Sequence, residues 1–112
     1  MKLTHEQREQ ITVFSLRGEI NQDHVDAFRA ACRERMAHHA RDFVLDFQGV
    51  ESIDSQGLEA LLWLQEQTGE QLGQVRLVAL NDDLAKVLEI TRLTPLFECY
   101  KDAEQAVKSL QV

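Results

Sequence analysis

Residues 11–20, ITVFSLRGEI, alternate along the chain: Ile11, Val13 and Ser15 fall on one side, Thr12, Phe14 and Leu16 on the other. This period of two, with β-branched and aromatic content, predicts a strand ended by Gly18. The preceding MKLTHEQ reads as a short edge strand beside it. The pattern then changes. Over residues 20–40, Val25, Phe28, Cys32 and Met36 recur at helical spacing, with Arg29, Arg33 and Glu34 outside the stripe. Asn21 is a suitable N-cap for this helix, and Asp23 and Asp26 sit where the helix dipole favours acids.

Residues 42–50, DFVLDFQGV, are almost continuously apolar, which predicts a strand covered on both faces; Asp46 interrupts it and requires a partner. A helix from about Ser55 to Thr68 follows. Residues 73–80, GQVRLVAL, form a third strong strand, and residues 81–93 a helix capped by Asn81 with Leu84, Val87 and Leu88 inward. Pro95 stops its continuation. Residues 96–100, LFECY, read as a short strand. Residues 101–112 read as an amphipathic helix with Ala103, Ala106, Val107 and Leu110 inward. Strands and helices alternate with short connections, which predicts an α/β domain with a mixed sheet, and no linker or repeat divides residues 1–112.

Composition narrows the function. The chain has 112 residues, 44% hydrophobic, and a net charge of −7. A nucleic-acid partner is disfavoured, because a phosphate backbone requires clustered Lys and Arg. The apolar runs are too short for membrane insertion, and the polar N-terminus lacks the apolar region of a signal peptide, so a cytoplasmic location is expected. Cys32 and Cys99 form no CxxC pair and read as free buried thiols in a reducing compartment. His5, His24, His38 and His39 lack a ligand pattern and read as surface residues, so no metal site is expected.

The chemistry concentrates in the loop QGVESIDSQG, residues 48–57, which follows the central strand and leads into a helix. Three roles compete for Ser55. It could cap the helix, although Asp54 could do so one residue earlier. It could be a nucleophile, but IDSQG does not match GxSxG and no histidine follows it to serve as base. It could accept a phosphate, which the positive end of the helix would tolerate and which would change what docks there. With Leu58, Leu61, Leu62 and Leu64 facing inward, Gln56, Glu59, Trp63, Glu66 and Glu70 face outward. Trp63 is then an aromatic anchor for a partner, unless a neighbouring helix covers it.

The stretch VLDFQGVESIDSQGLEALL, residues 44–62, resembles the signature of the STAS domain family, most closely the anti-sigma factor antagonists of bacteria. LRGEI at residues 16–20 and LEITRLTPLFECYKDAEQAV at residues 88–107 resemble its other conserved segments, so the resemblance spans the chain. It implies a mixed sheet of four or five strands with about four helices largely on one side. It implies no catalysis and no cofactor. It implies a switch: an unphosphorylated antagonist binds an anti-sigma factor that is itself a serine kinase, phosphorylation releases it, and a serine phosphatase resets it. By position, Ser55 would be the phosphoacceptor, Asp54 its supporting acid, and Gly57 the residue that allows the tight turn into the helix. Asn21, Asp54, Ser55, Gln56, Gly57, Glu59 and Trp63 would form the partner-binding face. The chain departs from the family at Gln56, where Ser or Thr is frequent, at Asn21, where Asp is common, and at Arg92, where Gly is frequent. The family also contains constitutive adaptors of ABC lipid transporters and stress-signalling scaffolds, in which Ser55 would be a cap or contact residue only.

Overall fold

A computed structural model describes residues 1–111. The chain runs β1 (Lys2–Arg8), β2 (Ile11–Ile20), α1 (Val25–Ala37), β3 (Asp42–Ile53), α2 (Ser55–Glu70), β4 (Val75–Val78), α3 (Asp82–Ile90), a single 3₁₀ turn (Thr94–Leu96), β5 (Glu98–Tyr100) and α4 (Ala103–Leu110). The last helix was expected to reach residue 112, and Val112 lies outside the described residues. The five strands lie in the order β1-β2-β3-β4-β5. β1 is antiparallel to β2, and every other neighbouring pair is parallel.

This order explains where the helices go. From β2 to β5 the chain always steps in the same direction, and right-handed crossovers then deliver α1, α2 and α3 to one face. There Phe14, Leu16, Phe43, Leu45 and Phe47 of the sheet pack with Val25, Phe28, Cys32, Leu61, Leu64, Leu84 and Leu88 of the helices. After β5 no strand remains to be reached, and α4 folds back over the opposite face. Ala106, Val107 and Leu110 cover Ile11, Val13, Val44 and Val78 there. The apolarity of β3 is thereby accounted for: its residues alternate between the two cores.

Several local expectations are corrected. Asn21 does not cap α1. That helix begins at Val25 after His24, which makes no side-chain capping bond. Asn21 instead folds the preceding turn, its Oδ1 accepting from Asp23 N at 3.0 Å and its carbonyl from His24 N at 2.9 Å. Asp46 finds its partner locally, accepting from Gln48 N at 2.9 Å. Cys32 is buried, and burial pushes its thiol up to about 12, but Cys99 is exposed on β5. His24 is half-buried, unlike the other three histidines. Asn81 does cap α3, accepting from Leu84 N at 2.8 Å.

β2 and β3 slip out of register twice, between Ser15 and Arg17 and again between Gly18 and Glu19. Each slip puts an extra residue on β3. These bulges increase twist and re-aim side chains at the carboxyl ends of the strands, the edge where α2 begins.

Candidate functional site

The site is built where β2 and β3 end. Asp54 is the N-cap of α2, its Oδ1 accepting from Gly57 N at 2.8 Å. Its Oδ2 accepts from Gln22 N at 3.0 Å, and its own N–H donates to the Ile20 carbonyl at 3.0 Å. One residue thus starts the helix and ties it to the turn after β2. That tie brings Asn21, thirty-odd residues away in sequence, beside Asp54 and Ser55.

With Asp54 as the cap, Ser55 becomes the first residue of the helix. It is exposed, and its hydroxyl makes no hydrogen bond among the described residues. The capping role weighed for Ser55 is therefore taken by Asp54. Among the described residues, no base is hydrogen-bonded to the hydroxyl in the way the nucleophile role calls for. What stands at this edge is an exposed hydroxyl at the start of a capped helix.

Gly57 is also redefined. It has no left-handed conformation to require glycine. It is buried, and a Cβ there would lie 2.6 Å from Ile53 Cγ1 and 2.9 Å from both Ile20 Cγ2 and the Ile20 carbonyl oxygen. The glycine lets the first turn of α2 lie against the end of β2. It offers no side chain to a partner, so its place in the expected binding face is indirect.

Glu59 lies one turn beyond Ser55 and is exposed, while Gln56 is half-buried. Residues four apart share a helix face, so Ser55, Glu59 and Trp63 form one stripe. Of the two readings of Trp63, the structure selects the covered one. The indole is half-buried against the main core, and α1 covers it: the Arg33 guanidinium sits 5.0 Å and that of Arg29 5.9 Å from the ring centroid. Cation–π contact of this kind contributes about 0.5–1 kcal/mol at exposed sites. The stripe therefore runs from acidic groups at the helix start to a basic, aromatic stack two turns on.

Sequence reasoning missed Gln22, which acts through its backbone N–H and so leaves no trace in residue type. It also missed the joint role of Arg29 and Arg33. Their i, i+4 spacing placed them on one face of α1, but nothing in the sequence said that Trp63 of another helix lay beneath them. Among the described residues, no group of three His, Cys, Asp or Glu side chains is arranged to hold a metal ion, and no helix is long and apolar enough to cross a membrane.

A family model for the STAS domain matches residues 2–106. The chain belongs to the STAS domain family. No curated protein sequence matches it significantly. Among solved structures, it is similar to a candidate anti-sigma factor antagonist from Thermotoga maritima, with a TM-score of 0.90, 19% identity, and coverage of 96% of this chain and 93% of that one. It is similar to an anti-sigma factor antagonist from Mycobacterium paratuberculosis, with a TM-score of 0.85, 25% identity, and coverage of 97% and 92%. It is also similar to the Bacillus cell fate determinant SpoIIAA in its phosphorylated form, with a TM-score of 0.78, 20% identity, and coverage of 98% and 100%. The five-stranded mixed sheet and its helices, three on one face and one on the other, are thus the fold of this STAS domain.

Proposed function

We propose that this STAS domain is an anti-sigma factor antagonist whose docking is switched by phosphorylation of Ser55. The observation that carries the reading is the free, exposed hydroxyl of Ser55 at the first position of a helix already capped by Asp54. A phosphate there adds about −1.5 to −2 charges. It leaves the cap in place, because Asp54, not the serine side chain, receives Gly57 N. The helix end stays folded and only its surface charge changes. That Bacillus SpoIIAA, of the same fold, exists in a phosphorylated form supports the reading.

The partner is an anti-sigma factor that is also a serine kinase, and a serine phosphatase restores the free hydroxyl in the cytoplasm. In the unmodified state Asn21, Gln22, Asp54, Ser55, Gln56 and Glu59 form the contact surface, and Trp63 with its two arginines flanks it. A phosphate beside the Asp54 carboxylate places like charges in the interface. Unpaired charge there costs several kcal/mol, of the order of 2–5.

The test is binding of the cognate anti-sigma kinase by wild type, Ser55→Ala and Ser55→Asp, alongside intact-mass analysis of the native protein before and after phosphatase treatment. Ser55→Ala binds in the presence of ATP, when wild type is released. Ser55→Asp binds at least about tenfold more weakly, a loss near 1.4 kcal/mol. Tight binding by Ser55→Asp, with no phosphate on the native protein, would replace the switch with a constitutive adaptor of the same family.

A further inference from the structure

The face of the sheet opposite α1 and α2 is only partly covered. α4 packs on Ile11, Val13, Val44 and Val78. Beyond it, the same face hollows into a groove of about 490 Å³ lined by Lys2, Thr4, Ser15, Arg17, Asp46 and Gln48 among others. The volume lies in the range of small-molecule sites, and the groove is open and polar, with Lys2, Thr4, Ser15, Arg17 and Gln48 all exposed.

The register shows why this groove is unusual. Lys2 lies directly opposite Arg17 in the β1–β2 ladder, and Thr4 opposite Ser15. Like charges directly opposed across strands destabilise a sheet. Other basic residues of this face are matched: Arg8 pairs with Glu6 at 3.1 Å and Glu104 at 3.0 Å, and Arg76 with Glu98 at 2.9 Å. Neither Lys2 nor Arg17 has an ion pair among the described residues. The groove also sits on the first β2–β3 bulge, where the register shifts between Ser15 and Arg17. Gly49 lies at that bulge, and a Cβ there would fall 2.7 Å from Arg17 Cγ, so the glycine lets the arginine stem lie across β3. Gln48 completes the lining with a polar side chain, and Asp46, whose Oδ1 already accepts from Gln48 N at 2.9 Å, keeps Oδ2 for a ligand hydroxyl at the end of the groove away from the phosphate.

We propose that this groove binds a small hydroxyl-bearing phosphomonoester, such as a sugar phosphate, its phosphate bridging Lys2 and Arg17 and its hydroxyl-bearing body held by Thr4, Ser15, Asp46 and Gln48. A dianion satisfies both cations and removes their repulsion, and the guanidinium fork matches phosphate geometry. Two cations on a chain of net charge −7 are too few for a nucleic-acid backbone. The site is separate from Ser55 and does not depend on the switch.

The test is an amide chemical-shift titration of the whole chain with ribose 5-phosphate, with ribose and inorganic phosphate as comparators. The expected result is saturable shifts at Lys2, Thr4, Ser15, Arg17, Gln48 and Gly49 with ribose 5-phosphate, weaker ones with phosphate, and none with ribose. The double variant Lys2→Gln/Arg17→Gln binds at least about tenfold more weakly, yet melts no lower than wild type when unliganded, because the repulsion is gone. Ser55→Ala titrates as wild type does. Absence of saturable shifts, shifts confined to the Ser55 edge, or an unchanged response in the double variant would each overturn the proposal.

Discussion

Where α2 starts, Asp54 and Gly57 tie it to the ends of β2 and β3; just past its end the chain turns through an exposed leucine. The entry has the Asp54 carboxylate bonded to Gly57 N and Gln22 N, and a glycine packed against Ile20 and Ile53. The exit has Leu72 at φ 63°, in the left-handed region, with 88% of its surface exposed. Its turn closes through Gly73 N donating to the Thr68 carbonyl at 2.7 Å and Leu72 N to the Gly69 carbonyl at 3.1 Å. The left-handed residue of such a turn is ordinarily glycine. Here the glycine stands one place later, where a Cβ at Gly73 would run into the Arg41 carbonyl at the start of β3. Close backbone approach is the stricter demand, so glycine is used there and the leucine tolerates the left-handed turn. α3 ends the same way, with Arg92 at φ 62° and Leu93 N bonded to the Leu88 carbonyl at 2.8 Å. The entry of α2 is therefore tied to the turn after β2, whereas its exit carries left-handed strain at an exposed residue.

Four substitutions break or sharpen this contrast. The largest effect is expected for Gly57→Ala, whose methyl would press on Ile53 and on the Ile20 backbone; overpacking of this kind costs about 1–3 kcal/mol. Urea denaturation measures it, and a neutral result would mean that close packing does not hold the entry. Asp54→Ala removes the cap and the bond to Gln22, a loss of about 1–2 kcal/mol. Amide exchange should rise at Gln22 and Gly57, the two donors released; protection unchanged at Gln22 would show that the turn after β2 stands without the carboxylate. Leu72→Gly should act in the opposite direction, raising stability by about 0.5–1 kcal/mol as left-handed strain is relieved at a site with little packing to lose. A fall in thermal midpoint would indicate that the leucine contributes a contact outweighing the strain. Ser55→Asp should leave stability within about 0.5 kcal/mol of wild type, so that any loss of partner binding is read as a change of surface and not of fold. Unfolding of this variant would remove the distinction between the two ends.

Some helix starts were legible in the letters. Asn81 was identified as a cap because an Asx residue preceded an amphipathic run. The choice between Asp54 and Ser55 was not legible, since both residue types cap well and the decision rests on where Gln22 N and the end of β2 lie. Whether Trp63 stood free or covered was left open for a related reason: its angle on α2 is a local property, but its cover comes from Arg29 and Arg33 on α1.

The sequence by itself determined the succession of strands and helices, the inward faces of β2 and β3, and membership of the STAS domain family, because periodicity and short motifs are written in neighbouring residues. Only the tertiary structure decided that Asp54 caps α2 and frees the Ser55 hydroxyl, that Gly57 serves close packing, and that Lys2 stands opposite Arg17. Each of those depends on the register of strands and on backbone groups brought together from distant parts of the chain, and a backbone N–H carries no signature in the identity of its residue.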